Sequence, residues 1–488
     1  CRCRRRRVVA HLALAAALAL AAVPAAAATA GSPAWLRAEA PGFVIWSEAG
    51  RDRTEELALA LASLEATLRG LAAPAAVDPP PPLEVFLFRD RGSLAPYLPG
   101  SEGEARLSGF YLAHPHLDLI AVDGDPALDS RGLLFHEYLH AFLRHHLPHA
   151  PLWLNEGLAE LYRTFRVDDG SVEVGRPIPE HAAWLRRHAF GPLSTLLATG
   201  SASPDYTDPS LRAGFYARAW ALVHYLVTSD REVRAGFDAY LSTLSRSLEP
   251  ASPLAALGVT AATLETRVAD HIRGAELPIL IDTAAPPAPE LVIAAVAPAE
   301  RWFRLGWLLV HQQPPQAGEA KSHFEAALAL DPRHAGGHLG LGYLAALAGD
   351  TGAAVRYYDR AEGLGWDGYL LPYLRGRARF APGDEAATLA ARRDFRTAVD
   401  RRPSFAEAWA ALGATWVAAA EPTAEGRRAL EVAYRRLPTR PDVIYNLILL
   451  TARLGSTEEA RSLLEPLSIW ADPGWVERAE RALEEAAR

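Results

Sequence analysis

A repeat in the C-terminal part of this 488-residue chain restricts its fold more than any other feature. Ala320, Phe324 and Ala327, with Pro332 behind them, recur as Ala354, Tyr358 and Ala361, then as Ala391, Phe395, Ala398 and Pro403. The series continues as Gly426, Leu430, Ala433 and Pro438, then Ala460, Leu464 and Leu467. The leading small residue advances by 34, 37, 35 and 34 positions. A unit of that length is a pair of helices that cannot bury its own apolar face, so successive units must stack and share one core. Small residues let the paired helices approach closely, and the aromatic fills the gap beneath them.

The spacing resembles that of tetratricopeptide repeats, with Leu341-Gly342 and Trp409…Leu412-Gly413 at first-helix positions. The resemblance implies an all-α solenoid over residues 300–488, closed by a helix at 476–488, whose groove would hold a protein partner. A rigid spacer that supports the region before it is the other reading. Residues 275–299 carry Pro278, Pro286, Pro287, Pro289 and Pro298 among alanines and read as a linker.

The stretch 131–160, RGLLFHEYLHAFLRHHLPHAPLWLNEGLAE, is of a different kind. His136 and His140 stand four apart, so on a helix both project from one face, where two imidazole nitrogens can meet one zinc ion. Glu137 sits beside them, placed to take a proton from an attacking water. A catalytic zinc usually keeps three protein ligands and an open position. Glu156, after an interval holding Pro148 and Pro151, is the candidate third. Leu133, Leu134, Phe135, Leu139, Ala141, Phe142 and Leu143 make this helix largely buried, and a buried helix does not carry two histidines and a glutamate without partners. A metal-free imidazole–carboxylate network satisfies the same residues. Asn155 and Glu156 also fit a helix N-cap and its first-turn acid. His146 lies where metzincins place a third histidine, but Leu143 replaces their turning glycine and the chain has no methionine. His145, His146 and His149 therefore read as a partly exposed loop cluster.

HExxH followed by NEGLAE resembles the gluzincin metallopeptidases, most closely the peptidase MA-like group. The resemblance implies an α+β thermolysin-like catalytic domain over 31–274, with Zn2+ held by His136, His140 and Glu156 and with Glu137 as the base. It implies peptide or protein substrates, and an antiparallel edge strand before the zinc helix that can take up an extended peptide. For Glu160 it suggests an outer partner that orients a ligand histidine; a plain surface acid is the alternative. Tyr216 and, after it, His224, both on a helix expected over 211–227, are candidates for stabilising the oxyanion of a tetrahedral intermediate. An aromatic core stripe with Trp220 explains them equally.

The remaining sequence sets the surroundings. Phe43–Trp46, Leu83–Phe88, 108–113 and 117–122 read as strands, 54–71 as a helix and 167–174 as a small hairpin. Arg2 and Arg4–Arg7 precede an apolar run, Val8–Val23, and an Ala28-Thr29-Ala30 site. That is the outline of a signal peptide over 1–30, which would send the chain to the periplasm or outside; uncleaved, it would be an N-terminal membrane anchor. Both cysteines lie in it, so the rest of the chain has neither disulfides nor thiolate ligands. Without its five arginines the net charge of −8 becomes −13, and no basic run remains for nucleic acid. The expected function is a zinc-dependent peptidase with a repeat domain for protein interaction. The contrasting expectation is a non-catalytic scaffold that keeps a zinc-peptidase fold. A zinc hydrolase of non-protein amides, such as cell-wall peptides, is a third.

Overall fold

The computed structural model describes residues 34–71, 83–99, 107–168, 170–246, 252–274, 277–282, 286–287, 290–419 and 423–486. The leader expected over 1–30 lies outside them. No described helix is long and apolar enough to cross a membrane.

Nine short strands are described: β1 (Leu36–Ala40), β2 (Phe43–Ser47), β3 (Leu83–Phe88), β4 (Gly109–His114), β5 (Leu117–Asp123), β6 (Arg166–Asp168), β7 (Ser171–Val174), β8 (Leu280–Asp282) and β9 (Val292–Ala295). They form a six-stranded sheet in the order β4-β5-β3-β2-β1-β9 and a small sheet β6-β7-β8. β2, β3 and β5 run parallel, whereas β1, β4 and β9 are antiparallel to their neighbours. Every residue of β5 is buried, because both faces of the sheet are covered. Ile45, Val85, Leu87, Ile120 and Val122 join a core with the helices that follow. Trp46, Phe86, Phe88, Leu119 and Ala121 join a second core with the repeat helices. This double burial explains why LEVFLF and LDLIAVD are nearly continuous apolar runs rather than alternating ones.

The segment expected as a linker over 275–299 instead supplies two strands. β8 pairs with β7 and β9 with β1, so each sheet gains its last strand from this stretch. Pro278, Pro286 and Pro287 lie outside those strands and leave the apolar runs around Ile279 and Val292 free to pair.

On one face of the large sheet lie α1 (Arg51–Leu71), α3 (Ser130–His146), α4 (Leu152–Tyr162), α5 (Pro179–Arg187), α6 (Leu193–Ala198), α7 (Pro204–Thr207), α8 (Pro209–Thr228), α9 (Arg231–Arg246), α10 (Pro253–Leu257) and α11 (Ala261–Arg273), and the short α2 (Arg91–Leu94) packs on the other. Asp129 caps α3 by accepting from the Gly132 amide at 3.0 Å. α3 continues to His146, so His145 and His146 belong to its last turn and not to a loop. α4 begins at Leu152, three residues before Asn155, because Pro151 sets an extended entry and occupies the cap position. Asn155 is thereby freed from the capping role expected of it.

The C-terminal part is a stack of tetratricopeptide-type helix pairs: α12 (Pro298–Val310) with α13 (Ala317–Leu330), α14 (Ala335–Leu347) with α15 (Thr351–Gly363), α16 (Leu370–Arg379) with α17 (Glu385–Arg401), and α18 (Ala406–Ala418) with α19 (Ala424–Arg436). Ala320, Phe324, Ala327, Ala354, Tyr358, Ala361, Ala391, Phe395 and Ala398 are all buried. A Cβ on Gly376 of α16 would stand 2.7 Å from the Phe395 ring, so the first helix must be bare where the knob of the second arrives. The fifth pair departs from this pattern. α20 (Pro441–Arg453) is followed by α21 (Thr457–Ser462) and α22 (Leu464–Trp470), a single helix broken near Pro466, which has no amide hydrogen for the preceding turn. α23 (Pro473–Ala486) covers the end of the stack with Ala479 and Leu483.

Candidate metal centre

α3 and α4 meet at the centre of the N-terminal region. Leu134, Phe135, Tyr138, Leu139, Ala141 and Leu143 fix one side of α3 in the core, which turns His136, Glu137 and His140 to the other. α4 brings Glu156 to the same point. Gly157 makes this possible on its far side: a Cβ there would lie 2.5 Å from Val223 and 2.6 Å from the Ala219 carbonyl, so α8 packs directly on the α4 backbone.

His136, His140 and Glu156 offer ligand atoms that all lie within 4.8 Å of one another. His136 Nε2 and His140 Nε2 are 3.1 Å apart, and Glu156 Oε2 is 3.6 Å from each. A triangle with those sides encloses a point about 2.0 Å from all three atoms, the length of a Zn–N or Zn–O bond. Glu156 Oε2 is buried and has no hydrogen-bond partner. A buried carboxylate oxygen left without a donor is costly. Two histidine nitrogens and one carboxylate oxygen also make up a catalytic zinc donor set. The residues fit the ion.

The atoms behind the triangle fix which nitrogen faces it. His136 Nδ1 lies 3.2 Å from Glu160 Oε1, and His140 Nδ1 lies 2.5 Å from Asn155 Oδ1. With the Asn155 amide oriented so, it accepts the His140 hydrogen at Nδ1 and leaves that ring's Nε2 bare, the arrangement of a metal-ligating histidine, while Glu160 stands against His136 Nδ1 as a charge without an aligned hydrogen bond. Glu160 in turn receives His181 Nε2 at 3.1 Å, with Arg163 at 3.6 Å. Tyr206, on α7, donates its hydroxyl to Glu156 Oε1 at 2.9 Å, which occupies one oxygen of that carboxylate and leaves the other for the triangle.

Electrostatics distinguish the two histidines. Burial works against the charged form of His136, but the hydrogen bond and charge of Glu160, with Glu137 and Glu156 adding to it, lift it to about 9. Burial and the neighbouring His136 charge press His140 down to about 4. Glu160 stays below the usual carboxylate range: burial raises it, and its bonds to His136 and His181 more than reverse this. Burial raises Glu137 above the usual range despite the two histidines. The His136 and His140 side chains keep 12% and 18% of their surface exposed, which leaves the cluster an approach from solvent.

Of the two oxyanion candidates, the fold brings one to the cluster. The Tyr216 ring lies 6.3 Å from that of His136 and 6.3 Å from that of Tyr206, with its hydroxyl raised by burial and then by Glu156. His224 is fully buried elsewhere: Nε2 donates to the Gly175 carbonyl at 2.9 Å and Nδ1 meets His271 at 2.8 Å. It takes no part in the site. The sequence reading missed Tyr206, His181 and the hydrogen-bonding role of Asn155. Tyr206 sits alone in a polar segment without periodicity, and only the turn of α7 into α8 brings it back to α4.

No family model matches the chain, and no curated protein does. Among solved structures, the chain is similar to YrrB, described as a TPR protein with an unusual peptide-binding site (19% identity over 38% of this chain and 92% of that one, TM-score 0.33). It is likewise similar to MamA (18%, 35% and 89%, TM-score 0.30) and to pilF of Pseudomonas aeruginosa (15%, 38% and 88%, TM-score 0.32). These likenesses are too slight to bear on activity.

Proposed function

We propose that this chain is a zinc-dependent peptidase of gluzincin type, with His136, His140 and Glu156 as the ligands. The observation that carries the reading is the buried, partnerless Glu156 Oε2 placed 3.6 Å from the Nε2 atoms of both histidines. Bound there, zinc would polarise the scissile carbonyl and acidify water towards a pKa of about 7. Glu137, raised by burial, accepts the proton of the attacking water on its carboxylate and passes it to the leaving amine nitrogen. Tyr216 donates its O–H to the developing oxyanion, and a Tyr→Phe change there costs about 10²–10³-fold in kcat. β4, the outer strand of the large sheet, offers backbone groups to an extended substrate.

The test is zinc content beside cleavage of a peptide library. Glu137→Gln is expected to keep one zinc and lose cleavage, and a fully active variant overturns the assignment. A second reading, a non-catalytic interaction scaffold, is favoured by the extent of the repeat stack, which needs no chemistry. Wild-type protein that binds zinc and cleaves no peptide in the library decides for it.

A further inference from the structure

A second histidine cluster lies where the sheet meets the repeats. The β4–β5 turn carries His114 and His116, and His311 follows α12. His114 Nε2 donates to the His311 carbonyl at 2.5 Å, and His116 Nε2 stands 3.1 Å from His311 Nε2. The His116 ring also rests 6.3 Å from Tyr343 of α14 and 6.4 Å from Tyr373 of α16. The first helices of three successive pairs therefore converge on one turn of the sheet.

The tautomers follow from the partners. His311 Nδ1 faces the Trp307 carbonyl at 2.8 Å, so it carries the hydrogen and its Nε2 is bare. His116 must then donate from Nε2, which leaves its buried Nδ1 without a partner. A proton added to His311 would set two N–H groups against each other, and one added to His116 Nδ1 would meet no acceptor. Burial holds His116 down at about 3, His311 well below its ordinary value and His114 below it as well. The surroundings do not compensate. Arg377 of α16 and Arg144 of α3 face the pair as cations, and Tyr343 and Tyr373 are neutral phenols. Of the acids, Asp118 of β5 acts on His114 and is already engaged by Tyr111, Arg144 and His145, and Glu407 of α18 acts on Tyr373 and is itself raised by burial.

We propose that the face formed by the first helices of the repeat stack is occupied by this chain's own β4–β5 turn, latched by a neutral His116–His311 pair, and that acidification unlatches it. An external partner reaches that face only when the turn has left it. The latch also touches α3, since Arg144 donates to the His114 carbonyl at 2.9 Å and to Asp118 at 2.6 Å. None of the three histidines belongs to the metal centre, so the proposal stands or falls apart from the peptidase reading.

Hydrogen exchange of the full chain at pH 7.5, 6.5 and 5.5, corrected for intrinsic rates, tests it. Each histidine kept neutral when latched and free to protonate when open raises the opening constant up to tenfold per pH unit below about 6.5. Segments 109–123 and 369–379 are expected to lose protection as pH falls, while 57–68 in the α1 core does not. The double variant His116→Leu/His311→Leu is expected to reduce the pH dependence to the share left by His114, and the single His116→Asn to reduce it by less should the double fail to fold. Protection over 109–123 that does not change with pH in the wild type, or an unchanged slope in the variants, overturns the proposal.

Discussion

Two of the histidine clusters among the described residues are opposite in character. At His136 and His140 a carboxylate and an amide oxygen stand behind the rings, Glu160 at 3.2 Å and Asn155 at 2.5 Å, and the Nε2 atoms converge with a free carboxylate oxygen. At His116 and His311 the outward partner is a backbone carbonyl on one side and nothing on the other, and the Nε2 atoms spend their one hydrogen on each other. Both clusters place imidazole nitrogens 3.1 Å apart. What separates the proposed cation site from the proposed neutral latch is therefore the carboxylate, Glu156 in front and Glu160 behind, and not the histidines themselves.

The sharpest way to break this comparison is to remove ligands from each. His136→Ala or Glu156→Ala is expected to abolish stoichiometric zinc after dialysis, measured by elemental analysis, whereas His311→Leu keeps one zinc per chain. Equal loss in both sets would erase the distinction. Next in size come the outer partners. Glu160→Gln and Asn155→Ala are expected to weaken zinc by about 10–100-fold in a competition titration with a chromophoric chelator. An effect of Glu160→Gln no larger than that of an exposed acid would return Glu160 to the surface-acid reading.

A smaller effect tests the support. Gly157→Ala would push α8, and Tyr216 with it, away from α4, at about 1–3 kcal/mol of stability in urea unfolding. Smallest is the latch at neutral pH. Replacing both His116 and His311 with leucine removes donor and acceptor together, which is expected to change stability at pH 7.5 by less than about 1 kcal/mol. A loss of several kcal/mol would mean that the pair stabilises the interface even when neutral.

Much of this was open to reading in the residues because the signals are local. His136, Glu137 and His140 lie within one helical turn, and the burial of Leu134, Phe135 and Leu139 fixes the side from which they project. The repeat positions from Ala320 to Ala433 are legible for the same reason, since each unit meets only its neighbours. Segment 275–299 misled because proline content marks a break without saying whether short strands lie between the breaks. His224 misled because two successive four-residue steps, from Tyr216 to Trp220 and on to His224, overshoot two helical turns by about 80°, which carries it to Gly175 and His271.

By itself the sequence determined which atoms can carry chemistry and the period with which the helices stack, because both depend on spacings within a turn or a repeat. The tertiary structure alone decided the partners: Glu160 and Asn155 behind the rings, Tyr206 on Glu156, and the β4–β5 turn against the first helices of the stack. These contacts join residues from 15 to 197 positions apart, Asn155 being 15 positions from His140 and Tyr206 50 from Glu156. No local propensity encodes which distant surface a side chain will meet; that is set by how the sheet, buried on both faces, orders the helices around it.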